Sequence, residues 1–529
     1  MFELTTYKRI GLLFIAVLLG MVPITRAAGP AAVVYNISDY GAVADGKTLN
    51  TSAIARTIEA CKAKGGGTVY VPAGVYLTGP VQLCSNMTLY LDAGATLLFS
   101  TDPQHYPAIK TRWAGIMCWA HMPLVFGDSL ENVAISGRGT LEGQGKVWWD
   151  RFNQAREQEN YKPQNKMEEQ FALLNQDIHG GYMEWARYHF RPPMIQFKNC
   201  KNVLIEGITL RNSPFWNIHP VFCRNIIIQD INIISPEKSE NTDGIDIDSS
   251  SKVRITNCYI DVGDDCIVIK SGLDEDGRRV GIPTEDVVID NCTMKHGHGG
   301  VVIGSEMSAD VRNIVVSNCV FHNTDRGIRL KTRRGRGGIV ENIRMGNIVM
   351  QNVTEAFTMN MHYREGTDKV TVSERTPRFR NIHLQHITAI DCQKAGNLVG
   401  LKEMPLQDIR FSDITIIAKE GITCKYVYDI DLIDVEIRNT NSPALAGEHV
   451  TNLYIDNFQA AKNENAPEIT LHNSKHVSVR GCFRSMIKPF IRFSGTETTD
   501  IMITGSHQAD ENAIFIGDEI DHNQIRLQR

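Results

Sequence analysis

NTDGIDIDSSSKVRITNCYIDVGDDCIVIKSG, residues Asn241 to Gly272, contains two apolar cores of one form, Ile245 with Ile247 and Ile267 with Ile269, each entered through a short acidic turn. Beyond a loop, NCTMKHGHGGVVIGSEMS from Asn291 and TDRGIRLKTRRGRGG from Thr324 give the core twice more, as Val301 with Ile303 and Ile328 with Leu330. Apolar residues at every second position mark strands with one buried face. Superposing the four cores puts Asp243 in phase with Asp265 and His298 in phase with Asp264, while Arg329 and Lys331 close the series on the fourth copy. If the copies are neighbouring strands about 4.8 Å apart, three acids, a histidine and two cations meet on one patch.

The same spacing extends outward. NVLIEGITL at Asn202, NIIIQDINI at Asn225, KVRITNCYI at Lys252, DVVIDNCTM at Asp286, NIVVSNCVF at Asn313 and NIRMGNIVM at Asn342 share one pattern, which continues through NIHLQHITA at Asn381 to DIMITGSHQ at Asp500. Its period of roughly 21 to 29 residues, stretched by inserted loops, is that of a solenoid. Counting the first residue as zero, positions 1, 3, 6 and usually 8 are apolar, so two short strands face one interior with a break between positions 3 and 6. Position 5 is commonly Asn or Asp, as in Asn257, Asn291, Asn318, Asn347 and Asp413. These residues tolerate the left-handed backbone of a tight bend. Period and bends together predict an all-β chain wound as a single-stranded, right-handed parallel β-helix.

Upstream, VYNISDYGAVADGKTLNTSAIARTIEACKAKGGGTVYV from Val34 reads strand, turn, helix, turn, strand. Ile54, Ile58 and Cys61 have helical spacing, Asn50 or Thr51 is placed to cap the start, and Gly65 to Gly67 to stop it. This N-terminal helix is expected to cap the end of the stack, where uncovered strands invite aggregation. Before it, Lys8 and Arg9, an apolar run from Ile10 to about Val22 and the small residues Ala27, Ala28 and Gly29 form the three-part pattern of a secretory signal peptide over 1–28. That leaves a single β-helix domain over 29–529, exported to the periplasm or secreted, with no membrane span once the signal is cleaved. A net charge of -5 over 529 residues argues against a nucleic-acid partner, which would need a broad basic surface. Cys258, Cys292, Cys319 and Cys482 all fall at position 6, where other copies carry Ile or Val. They therefore read as buried thiols rather than a disulfide framework, and no Cys and His grouping suggests a structural metal. A stack with covered ends suits a monomer.

The patch itself suits hydrolysis of a glycosidic bond, which needs one protonated carboxyl group to serve the leaving oxygen and one ionised group to activate water. Crowding Asp243, Asp264 and Asp265 should raise the proton affinity of at least one of them and so supply the acid. Arg329 and Lys331 flank inward-facing Leu330 and project together from the strand, which suits an anionic sugar. Each residue also has a plainer reading: Asp243-Gly244 and Gly263-Asp264-Asp265 as turns, His298 as the cap of a bend, Arg326 to Arg336 as a solvated basic face. Joint register over four coils favours a site.

NTD at Asn241 to Asp243, GDD at Gly263 to Asp265, GHG at Gly297 to Gly299 and RLK at Arg329 to Lys331 resemble, in order, the four motifs of glycoside hydrolase family 28, the polygalacturonases. Leu330 stands where isoleucine is most common. DYGAVADGKTLNT, YVPAGVYLTGP, GTLEGQGKVWW and NSPFWNIHP extend the resemblance over most of the chain. It implies inverting hydrolysis of α-1,4-linked galacturonic acid in pectin, with Asp264 as general acid, Asp243 and Asp265 holding and activating water, and His298 supporting the acid's protonation. It further implies Arg329 and Lys331 on a substrate carboxylate, Asn241 in the cleft, and Tyr363 as a substrate contact, with no metal or cofactor. The substrate would be a pectic polysaccharide or oligogalacturonide. LDEDGRRVGIPTED, HGHGGVVIGSEMS and KTRRGRGG resemble the bacterial exo-acting members, with galacturonate release from rhamnogalacturonan or other branched fragments as an alternative. An insertion at about 145–191 agrees with an exo mode if it blocks one end of a groove. Its Trp148, Trp149, Tyr161, Trp185 and Tyr188 either stack on sugar rings or pack the loop down. Two further classes compete: a polysaccharide lyase working by β-elimination with Ca²⁺, and a noncatalytic carbohydrate-binding β-helix.

Overall fold

The computed structural model describes residues 33–158, 161–178, 189–364, 371–460, 467–482, 490–505 and 513–528. A turn of the coil is built from three strands, for example Ile245–Asp248, Ser251–Thr256 and Tyr259–Val262, followed by Ile267–Lys270, Thr284–Asp290 and Thr293–His296 in the next turn. Strands pair in parallel with their counterparts one turn on, and among the described residues 36 of them join in one continuous sheet. The result is a right-handed parallel β-helix.

The corners explain the Asn and Asp pattern. Asn257, Asn291, Asn318 and Asn347 have φ between 53° and 57°, the left-handed region that Asn enters at least cost. A second corner is equally left-handed: it falls at the first residue of each repeat, and Asn202, Asn225, Asn313 and Asn342 have φ between 55° and 60°. Side-chain amides join these corners from turn to turn, Asn342 donating to Asn313 at 3.0 Å and Asn381 to Asn342 at 2.8 Å.

Inside, Ile247, Ile269, Ile303 and Leu330 are fully buried. All twelve cysteines are buried free thiols, and Cys258, Cys292 and Cys319 stack on successive turns, as their shared position predicts. The helix Thr51–Ala63 turns Ile54, Ile58 and Cys61 inward against the first strands. Neither residue expected to cap it does so through its side chain. Asn50 occupies the cap position, but its side chain is spent on Val43, Thr48 and Leu77, and the Thr51 hydroxyl accepts from the Gly79 amide at 2.6 Å.

Among the described residues the coil is left by a short helix, Asp274–Val280, by a hairpin and by the insertion. The antiparallel hairpin Ala108–Trp113 and Ile116–His121 is not announced by the repeat. The insertion forms helices Lys146–Arg156 and Lys166–Leu174. The stretch read as a signal peptide, Trp185 and Tyr188 lie outside the described residues, and among those described no helix is long and apolar enough to cross a membrane.

Candidate active site

The strands that carry the patch pair with Ile245 opposite Ile267, Ile267 opposite Val301 and Val301 opposite Ile328, the register obtained by superposing the sequence cores. Backbone bonds extend it into the turns: Gly244 N–H donates to the Asp265 carbonyl at 2.9 Å and His298 N–H to the Asp264 carbonyl at 3.1 Å. Gly297, at φ 75°, precedes His298 because a Cβ there would lie 2.3 Å from the Asp264 carbonyl oxygen. Bulk at that position would push the histidine turn off the acid turn.

As a consequence, one carboxylate oxygen each from Asp243, Asp264 and Asp265 lies within 4.8 Å of the others. Oxygens this close can enclose a cation, but the protein supplies positive charge itself. Lys331 Nζ is 2.6 Å and Arg329 Nη1 3.3 Å from Asp265. His298 Nδ1 is 3.0 Å from Asp264. Lys270 Nζ is 3.6 Å from Asp243, 3.4 Å from Asp246 and 3.5 Å from Glu306. Asn241 donates to Asp264 at 3.3 Å and accepts from Arg191 at 2.7 Å. Tyr363 lies beside the cations, its ring centre 5.3 Å from Lys331 Nζ and 5.6 Å from the Arg329 guanidinium carbon. All eight predicted residues thus stand in one neighbourhood.

Charge within the patch is distributed differently from expectation. Crowding does raise a proton affinity, but that of Asp243 rather than Asp264: burial first, then repulsion from Asp264, pushes Asp243 well above the usual carboxylate range. Burial and repulsion from Asp243 do the same to Asp246. Burial also raises Asp264, but the hydrogen bond and charge of His298, with help from Lys331 and Lys270, outweigh it and hold the carboxyl below its ordinary value. That same hydrogen bond raises His298 to about 9. The contact thus favours an ionised Asp264 beside a protonated His298.

The sequence reading missed Lys270, Asp246, Glu306 and Arg191. A signal for Lys270 was present, since it follows its apolar core as Lys331 follows Leu330. Of the insertion aromatics, Trp148 and Trp149 are buried, the former against Tyr106 and His121 and the latter donating to the Ser213 carbonyl. Those two pack the loop down. Tyr161 is partly buried and donates to Glu168 at 2.8 Å. The insertion is tied to the rim of the patch: Arg191 donates to the Glu240 carbonyl at 2.7 Å and Arg156 pairs with the Glu240 carboxylate at 3.2 Å. A cavity of about 1050 Å³ lies between the insertion helices rather than over the acids. Arg191 lines it and links it to Asn241.

A family model described as glycosyl hydrolases family 28 matches residues 186–430, and one described as rhamnogalacturonase A/epimerase, pectate lyase-like, matches 34–184. A probable polygalacturonase of Vitis vinifera is 36% identical over 391 residues, covering 72% of this chain and 74% of that protein. An exo-poly-alpha-D-galacturonosidase of Dickeya chrysanthemi is 29% identical, covering 71% of this chain and 65% of its own length. Among solved structures, a hyperthermoactive exopolygalacturonase of Thermotoga maritima superposes with a TM-score of 0.69 at 36% identity, covering 77% of this chain and 91% of that one.

Proposed function

From the premise that this chain belongs to glycosyl hydrolases family 28, we propose that it hydrolyses α-1,4 bonds between galacturonic acid units of pectin or polygalacturonate, working from a chain end. The observation that carries this reading is the triad of carboxylate oxygens within 4.8 Å beside Lys331 and Arg329. A uronate carboxylate can exchange onto the two cations that now serve Asp265. In this reading Asp243 and Asp265 hold the attacking water between them and Asp264 protonates the leaving oxygen. An anionic sugar adds negative charge beside Asp264 and draws on its countercharge, which favours return of the His298 proton to Asp264. His298, Asn241 and Tyr363 complete the binding edge.

The exo mode is supported by the insertion, latched to the acid turn through Arg191 and Arg156, and by likeness to relatives named as exo-acting. Export after cleavage of a signal at 1–28, action as a monomer and a single catalytic unit over 29–529 belong to the same proposal.

The short spacing between the acids favours a second reading. In two-carboxylate glycosidases, groups about 5 Å apart go with retention and groups about 6.5–9.5 Å apart with inversion. A third acid changes that argument, because water can be held between Asp243 and Asp265 without crossing the sugar from Asp264. Inversion is therefore the reading proposed. A time course of products from polygalacturonate, by chromatography with ultraviolet detection, tests the whole. Saturated mono- or digalacturonate from the first time points is expected, with the β-anomer appearing first by NMR. Mixed early oligomers would remove the exo mode, an initial α-anomer would establish retention, and unsaturated products would overturn hydrolysis.

A further inference from the structure

Lys270 has no place in the machinery described so far, yet its ammonium is enclosed by more carboxylates than any acid of the patch has cations. Its side chain is 5% exposed, with Asp243, Asp246 and Glu306 at 3.6, 3.4 and 3.5 Å. The Trp216 ring closes the remaining side, its centre 4.0 Å from Nζ. Lys270 pairs with Asp248 one turn back and Lys331 with Gly304 one turn back, while the pairing between those turns ends at Ile269 with Ile303, so Gly304 follows directly where Lys270 does. Gly304 has no side chain to fill the turn between the two lysines, and Glu306, two residues on, reaches Lys270 instead. This arrangement gives each of the two proposed water-holding acids its own lysine: Lys331 to Asp265, at the edge where Tyr363 and Arg329 stand, and Lys270 to Asp243, under Trp216.

We propose that Lys270 is a positioning residue for Asp243: wedged against Asp246 and Glu306, it holds that carboxylate in place and in the ionised form that activates water. This inference rests on the hydrolase reading above. Three carboxylates face one ammonium, so the group cannot be fully ionised without a net charge of two in a closed pocket, and one proton shared by Asp243 and Asp246 relieves it. While that proton sits on Asp246, Asp243 is free to act as base. Burial and repulsion push both acids up, and Lys270 is the first charge that pulls each back.

The other charges around the pocket are already engaged. Asp264 faces His298, Asp265 faces Lys331 and Arg329, Asp248 is held by Arg112 at 2.8 Å and His219 at 3.5 Å, and Arg336 stands behind Glu306. Lys331 also bears on Asp243, but more weakly than Lys270. Removing Lys270 therefore leaves Asp243 without its principal counterion.

The test is the pH dependence of kcat/KM on a galacturonate oligomer for wild type, Lys270→Met, Lys270→Arg and Glu306→Gln. In Lys270→Met the limb along which activity rises with pH should move up by about one unit or more, with kcat down roughly tenfold or more at the wild-type optimum and KM within about threefold. Lys270→Arg should keep the limb near its wild-type position. Glu306→Gln removes a competing acid and should move the limb the opposite way, by about half a unit, a sign that general loosening does not produce. A folded Lys270→Met with an unmoved limb would overturn the inference. If Lys270→Met does not fold, a Glu306→Gln limb that stays put or moves up would overturn it equally. A wild type that releases no saturated galacturonate would overturn both this inference and the hydrolase reading, whereas an active wild type with unmoved limbs in the variants removes only the part given to Lys270.

Discussion

At one corner of the coil, Asn225 donates to Asn202 at 2.8 Å and Asn202 to Asn132 at 2.9 Å, a ladder of neutral amides that satisfy one another turn by turn. On the strands that carry the acids, the same stacking sets Asp243, Asp264 and Asp265 within 4.8 Å of each other. The backbone does the same work in both places. Amides gain from being stacked, each bond contributing about 1 kcal/mol net, while carboxylates repel and must be offset by Lys270, Lys331, Arg329 and His298. A β-helix therefore supplies proximity, and residue type decides whether proximity becomes stability or chemistry.

The contrast breaks most visibly at Asp264. Asp264→Asn should lower kcat by about 10³ while leaving the melting temperature nearly unchanged, because the amide keeps the shape of the side chain. Next in size is Lys331→Met. It should lower kcat/KM by roughly 10²-fold, largely through KM, as loss of a buried charge partner does, and steady-state kinetics on methyl-esterified oligomers should show a smaller loss. At the corner the pattern inverts. Asn313→Ala removes the bonds to Asp286 and Asn342 and leaves a left-handed residue at φ 59°. Urea unfolding should record a loss of about 1–2 kcal/mol, with kcat untouched.

The smallest effect is one of pH. His298 is raised from 6.5 to about 9, so its contribution to stability is complete below 6.5 and fades as pH rises through 9. Asp264 is depressed, so its contribution is present above its ordinary 3.8 and is lost on acidification below it. The pair should therefore stabilise most between 3.8 and 6.5. Because the His298 side chain is 55% exposed, solvent screening holds the gain over His298→Ala to about 0.5 kcal/mol or less. Urea midpoints for the two proteins should differ in that window and converge above pH 9 or so.

How much of this was legible in the sequence follows from the same contrast. Register was readable because Ile245, Ile267, Val301 and Ile328 recur at a fixed phase, and a parallel coil converts phase directly into neighbours. That placed the three acids, His298, Arg329 and Lys331. Glu306 was not readable in this way, because it approaches Lys270 from an irregular loop after its strand rather than from the repeat. Arg191 reaches Asn241 from the end of the insertion, where no period operates. Position 5 marked one left-handed corner, yet the first residue of each repeat, most often Asn or Asp and just as regular, was not recognised as the second. Which acid is pushed up and which is held down could not be read at all. It depends on the depth of Asp243 and on the approach of His298 to Asp264, and alignment in phase gives neither.

The most direct test of the central claim compares binding with turnover in wild type and Asp264→Asn on one galacturonate oligomer, by calorimetry and by product release. Affinity within about threefold together with a loss of about 10³ in turnover is the predicted result. A variant that still hydrolyses within about tenfold of wild type would contradict the account, since the stacked acids would then be scaffold and not catalyst.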